Sequence, residues 1–210
     1  MDIQYYGANC LSITIKQNRV VIDDNLAGYG LKSVAKPNDI LLFTSPSNAS
    51  NEKNTRIVID CPGEYEVGDI AIYGIEAKSF LSDEYKYSTI YKILVNDITL
   101  VVIGNIAPEL NDAQLEALGM IDVLFIPVGG HDLTLSPANS LKLIREIAPK
   151  LVIPTHYGDK GVKYPAEQES LEDALKVLAM EPKESTAKLK LKAADLSETM
   201  QLVVLEINQA

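Results

Sequence analysis

Histidine, cysteine and positive charge are all scarce in this sequence, and each scarcity closes off a class of function. Two histidines, His131 and His156, give imidazole chemistry only two addresses in 210 residues. Two cysteines, Cys10 and Cys61, match no zinc or redox spacing and read as reduced thiols rather than a disulfide. Nineteen Lys and Arg against 29 Asp and Glu leave a formal net charge of -10. Gripping a phosphate backbone or an anionic bilayer takes clustered cations, so nucleic acid and membrane surface are excluded as partners. No apolar run approaches the ~18 residues of a membrane span. The opening Met1-Asp2-Ile3-Gln4 lacks the cationic stretch and apolar run of a signal peptide, which makes the cytoplasm the expected location. There is no Walker motif, nucleophile elbow or dinucleotide fingerprint. No repeat of about 20–50 residues is visible either, so solenoids and propellers drop out.

What is present is an ordinary globular mixture, 47% hydrophobic and 23% charged. The length suits one domain, 1–210, able to bury roughly 70% of its unfolded surface without a staple. The first half reads as strands. Ile3–Tyr6, Leu11–Ile15 and Arg19–Ile22 are short β-rich runs punctuated by the turns Gly7-Ala8-Asn9 and Gln17-Asn18. Ile40–Phe43 and Ile57–Ile59 are unbroken apolar runs, the mark of strands covered on both faces. Asp69–Ile75, Thr89–Val95 and Ile98–Ile103 follow, the last two joined by the hairpin turn Asn96-Asp97.

After residue 105 strands alternate with helices. A helix is expected over Pro108–Leu118, a buried strand over Val123–Val128, and a second helix from the Ser136-Pro137 cap to the Pro149 stop. That helix places Leu141, Ile144, Ile147 and Ala148 on one side. Leu151–Ile153 completes a βαβ unit and hence a parallel strand pair. A third helix is expected over Glu167–Met180, then two closing strands, Lys188–Lys192 with its alternate lysines in water and Gln201–Ile207. The fold class is α/β, sheets faced by helices.

In open α/β sheets ligands bind beyond the carboxyl ends of strands, and both histidines fall there, in Gly129-Gly130-His131 and Pro154-Thr155-His156. Carboxylates gather at turn-like places: Asp23 and Asp24, Asp60, Glu64 and Glu66 around Cys61-Pro62-Gly63, and Asp159. They could serve acid–base catalysis or bind metal through oxygen. With 29 acidic residues such clusters are expected, and solvated loops are the favoured account of them.

Four stretches give the chain a family likeness: Tyr5-Tyr6-Gly7-Ala8-Asn9-Cys10 leading to Val21-Ile22-Asp23; Asp60-Cys61-Pro62-Gly63-Glu64-Tyr65-Glu66-Val67-Gly68; Phe125-Ile126-Pro127-Val128-Gly129-Gly130; and Val152-Ile153-Pro154-Thr155-His156-Tyr157-Gly158. In these the sequence resembles the metallo-β-lactamase superfamily, in its small branch of predicted metal-dependent hydrolases. The resemblance implies an αββα sandwich of two mixed sheets with helices on the outer faces and a site along one sheet edge. It also implies one or two zinc or iron ions that turn bound water into a nucleophile.

The metal-binding motif departs from the family's. His-x-His-x-Asp-His should follow the Ile40–Phe43 strand, where this chain reads Thr44-Ser45-Pro46-Ser47-Asn48-Ala49-Ser50-Asn51. Serines 45, 47 and 50 stand in histidine positions, and Ala49 in that of the aspartate. No histidine occurs near Ser79–Leu81, where another is expected, and Asn105 takes the place of the bridging aspartate. His156 looks like a retained ligand; His131 has a less secure counterpart. Neutral hydroxyls and amides are poor zinc ligands, so the expected protein is a catalytically degenerate binding or interaction module with no metal cofactor. Its pocket is edged by Ser45, Ser47, Asn48, Asn105, His131 and His156, suited to a small uncharged polar ligand or a protein partner. The rival is a hydrolase whose His131 and His156, with Asp23, Asp132 or Asp159, rebuild a mononuclear zinc, iron or manganese site. A metal-free acid–base pair of His156 and Asp159 is its weaker variant, and a small homo-oligomer a further expectation.

Overall fold

A computed structural model describes residues 1–45, 54–80, 86–131 and 133–208. Two mixed sheets lie face to face. The first has six strands, in spatial order β13 (Leu189–Lys190), β1 (Asp2–Gly7), β2 (Cys10–Ile15), β3 (Asn18–Ile22), β4 (Ile40–Leu42) and β5 (Ile57–Ile59). The second has eight: β12 (Glu184–Thr186), β14 (Gln201–Leu205), β11 (Leu151–Thr155), β10 (Val123–Pro127), β9 (Ile98–Val102), β8 (Tyr87–Val95), β7 (Ile70–Lys78) and β6 (Gly63–Val67). Three α-helices are described, α1 (Asp112–Leu118) against β7, α2 (Pro137–Ile147) against β10, and α3 (Leu171–Leu178) against α2. This is the α/β sandwich expected. No helix among the described residues is long and apolar enough to cross a membrane.

Strand periodicity sorts the side chains. Leu11, Ile13, Val20, Ile22, Ile40 and Leu42 point into the core shared with the second sheet. Their neighbours Cys10, Val21 and Leu41 point the other way, into a smaller cluster with Leu26, Val34 and Phe43. Both faces are thus covered, which is why β4 carries no polar alternation. The outer cover of this sheet is the 26–35 segment, which holds a single 3-10 turn, Leu26–Tyr29. From the second sheet Ile72, Ile93, Leu100, Phe125 and Ile153 complete the shared core. Each such side chain contributes about 1.5–3 kcal/mol of burial.

The turns follow the sequence chemistry. Asn96 and Asp97 both take left-handed backbone (φ 46° and 63°), as a two-residue hairpin between β8 and β9 requires. Ser136 caps α2 by accepting from the Asn139 amide at 3.3 Å, and the βαβ unit gives the parallel β10–β11 pair. The buried side of α2 is Leu143, Ile144 and Ile147; Leu141 is half-buried and Ala148 exposed, contrary to expectation. Both remaining helices are shorter than their apolar patterns, because an internal cap starts them late. Asn111 and Gln114 form a capping box before α1, and Ser170 caps α3. Two strands escape the sequence reading. β6 lies in the acidic stretch taken for a turn, with Glu64 and Glu66 exposed on the sheet's edge, and β12 is three polar residues paired with β14.

Candidate functional site

The carboxyl ends of β1, β3, β4, β9, β10 and β11 deliver residues to one rim: Asn9, Asp23, Thr44, Asn105, His131 and His156. Three of these, Asp23, His131 and His156, adopt left-handed backbone at φ 49°, 51° and 50°. Non-glycine residues held there cost of order 1–3 kcal/mol each, and such strain gathers at functional turns.

Asp23 is 6% exposed. Its Oδ1 accepts from the Thr44 amide at 2.7 Å and its Oδ2 from the Thr44 hydroxyl at 2.6 Å. Burial pushes its carboxyl up to about 6 against the pull of both Thr44 bonds. Thr44 itself lies against Gly104, where an added Cβ would meet its Oγ1 at 2.0 Å. Asparagines span the two sheets beside it. The Thr155 hydroxyl donates to Asn9 Oδ1 at 3.1 Å, and Asn9 Nδ2 donates to Asn105 Oδ1 at 3.2 Å. The backbone carbonyl of Asn105 takes the Phe80 amide and the Ser88 hydroxyl.

His156 is 1% exposed, and burial lowers its pKa to about 4. Gln168 Nε2 donates to the carbonyls of Ala166 and Glu167, which turns its Oε1 onto His156 Nδ1 at 3.2 Å. Assigned from that network, the neutral imidazole carries its proton on Nδ1 and keeps Nε2 as an acceptor. Tyr164 meets the ring at a tilt of 42° with centroids 4.9 Å apart, and Tyr29 meets it edge-on at 6.1 Å. Burial, then the Asp23 charge, raises the Tyr29 pKa. Gly129 leaves room for this arrangement: a Cβ there would stand 2.0 Å from the His156 carbonyl oxygen and 2.4 Å from Gln168 Oε1.

The structure separates the two histidines chemically. His131 is half-exposed and its Nε2 lies 3.4 Å from Glu169 Oε1, while His156 faces buried Gln168. The Glu169 amide bonds to the Gly129 carbonyl and the Gly158 amide to the Glu169 carbonyl. Gln168 is buried beside His156, whereas Glu169 is partly exposed beside His131. Asp159 is exposed and turns back on its own loop, accepting from the Gly161 amide at 2.7 Å. Ser45 is half-buried beside Thr44, and Ser79 is buried, bridging Ile106. Ser47, Asn48, Ala49, Ser50, Leu81 and Asp132 lie outside the described residues. Asn9, Tyr29, Thr44, Tyr164 and Gln168 went unassigned in the sequence reading. Asn9 lies inside a stretch that carried the resemblance and Thr44 opens the 44–51 stretch that departs from the family's motif, so position could have flagged them. Gln168 sits in what read as helix and gives no local signal.

Zinc and iron sites are built from imidazole, thiolate and carboxylate. Among the described residues no three His, Cys, Asp or Glu side chains gather closely enough to hold an ion. Cys10 is buried and Cys61 exposed, both free. The described donors at the rim are the Asp23 carboxylate, which Thr44 engages through both oxygens, the imidazoles of His131 and His156, and neutral amides and hydroxyls, a poorer set than the metal implied by the resemblance calls for.

The family model described as "Beta-lactamase superfamily domain" matches residues 2–156. Among solved structures, a candidate Zn-dependent hydrolase of the metallo-β-lactamase superfamily from Thermotoga maritima is 23% identical with a TM-score of 0.75, covering 97% of each chain. Igni18, a metallo hydrolase from Ignicoccus hospitalis, is 14% identical with a TM-score of 0.66, covering 99% of this chain and 96% of that one. CmlA, a diiron β-hydroxylase from Streptomyces venezuelae, is 10% identical with a TM-score of 0.58, covering 85% of this chain and 49% of that one. At such identities the likeness is one of fold. The comparison with curated proteins found no match.

Proposed function

We propose that this protein, which belongs to the metallo-β-lactamase superfamily, uses the fold as a non-catalytic, metal-free binding module, a pseudoenzyme working in the cytoplasm. The observation that carries the reading is the chemistry of the rim. Two essential positions, after β4 and β9, hold hydroxyls and an amide in place of imidazole and carboxylate. A structural zinc gains roughly 10–16 kcal/mol from four good ligands, and His156 alone cannot reproduce that.

The ligand this rim suits is small, uncharged and polar. His156 Nε2 supplies an acceptor, and the Asn105 side-chain amide nitrogen supplies a donor with no partner among the described residues. Ser45 and Thr44 add hydroxyls. An ionised phosphate gains nothing here, since Asp23 is the charged group nearest Thr44 and repels it.

The hydrolase reading, with His131 and His156 sharing one zinc, iron or manganese ion, draws less support. Each imidazole has its own side-chain partner, buried Gln168 for His156 and partly exposed Glu169 for His131. The His156–Asp159 acid–base variant is weakened because the His156 ring pairs with Gln168, while Asp159 is exposed and accepts from the Gly161 amide.

Elemental analysis of the dialysed, native protein tests the proposal. Less than about a tenth of an equivalent of zinc, iron or manganese is expected, by the donor chemistry above. Stoichiometric metal whose retention is abolished by His156→Ala would sink the proposal and restore the hydrolase.

A further inference from the structure

A cavity of about 310 Å³ between β13 and β14 and the buried Thr134 hydroxyl without a described partner carry less than a second cavity, beside the loop after β3. This one has a volume of about 470 Å³ and is lined by none of the rim residues Asn9, Asp23, Thr44, Asn105, His131 or His156. Its size lies within the ~300–1,000 Å³ typical of small-molecule sites. Its apolar lining is Tyr6, Leu26, Leu31, Val34 and Ile207. Its polar lining is one cation, Lys32, one anion, Asp159, and the amide of Asn208.

The wall is fixed in advance of any ligand. Asp24 Oδ2 gathers the Ser33 hydroxyl and the Val34 and Ala35 amides at 2.7, 2.9 and 2.8 Å, tying down the strip that presents Lys32 and Val34. Asp159 is held by the Gly161 amide, and Asn208 Nδ2 donates to the carbonyls of Tyr5, Ala187 and Glu206. The amide oxygen of Asn208 is left as an acceptor. Neither Lys32 nor Asp159 forms an ion pair, with the other or with any described residue. Two opposite charges, neither in a salt bridge and with Asp159 Oδ2 free of the Gly161 bond, border one apolar hollow.

We infer that this cavity binds a zwitterion with an aliphatic body, an aliphatic α-amino acid. Lys32 receives the carboxylate, Asp159 and the Asn208 oxygen receive the ammonium, and Leu26, Leu31, Val34 and Ile207 cover the hydrocarbon. A ligand with only one charge leaves the opposite group facing the hollow unpaired, so each end contributes to discrimination.

Amide chemical-shift titration of the intact protein with L-leucine, 4-methylpentanoate and isoamylamine decides the matter. Saturable shifts are expected for L-leucine, mapping to residues 26–34, 159–161 and 207–208, with both singly charged analogues at least roughly tenfold weaker. Lys32→Met and Asp159→Asn, both exposed and conservative in shape, should each weaken L-leucine by roughly tenfold while leaving the rest of the spectrum in place. Absence of saturation with L-leucine overturns the assignment, as does unchanged affinity in both variants or shifts centred on His156. The metal content of the protein has no bearing on any of these outcomes, so this inference and the proposed function fail separately.

Discussion

Asp23 and His156 are buried titratable groups whose pKa values move toward each other from opposite sides. The Asp23 carboxyl rises from 3.8 to about 6, so the fold prefers it protonated. The stability from that preference is present below pH ~4 and is lost as pH rises through about 6. The His156 imidazole falls from 6.5 to about 4, so the fold prefers it neutral. That stability is present above about 6.5 and is lost as pH falls through about 4. At 1.36 kcal/mol per unit each is on the order of 3 kcal/mol, and over about pH 4–6 they oppose. Single substitutions should expose the hidden slopes. Relative to the wild type, Asp23→Asn should become progressively more stable as pH rises from about 4 to 6, and His156→Gln as pH falls over the same range. Urea unfolding at several pH values measures this, and parallel profiles for all three proteins would contradict the burial of both groups.

At the scale of turns and strands, glycine at 129 matters for space rather than backbone freedom. Gly129→Ala puts a methyl against the His156 carbonyl and the Gln168 amide oxygen. We expect a loss of about 2–3 kcal/mol by urea denaturation, the cost of an overpacked contact. Gly28 provides the control: nothing lies within 4 Å of its Cβ position, and Gly28→Ala should change stability by less than about 0.5 kcal/mol. Equal effects would show that the 168–169 crossing is not fixed by the close approach at 129. These elements also mark what could be read from sequence. Strands such as Ile40–Leu42 and hairpin turns such as Asn96-Asp97 announce themselves, because local apolar runs and left-handed turn residues determine them. β6 does not, since alternating glutamates on an edge strand look like a loop until a neighbour pairs with them. The helix expected over 167–180 is overridden at its start by the cap of Ser170, and the non-helical residues before it pack closely against Gly129 and Gly158. His156 was legible from its position after a strand and Asn105 from the family resemblance; Gln168, which orients His156, was not, because its role exists only through a contact across 12 residues of chain.

For the molecule as a whole, the exposed large hydrophobics among the described residues are Met120, Val177 and Met200. The small homo-oligomer we propose would therefore be held through polar surface or a sheet edge, with light scattering at a multiple of 23.0 kDa as the expected result. A mass of 23.0 kDa across the accessible concentration range would refute it. The Thr155–Asn9–Asn105 relay has a broader consequence. It clasps the leaves of the sandwich together at their open mouth with ordinary amides, which neither chelators nor reductants can extract. Melting in EDTA and in buffer should therefore coincide, whereas Asn9→Ala, by undoing both bonds of the clasp, should lower the midpoint and loosen the mouth first, visible as early amide exchange at Asn105 and Thr155.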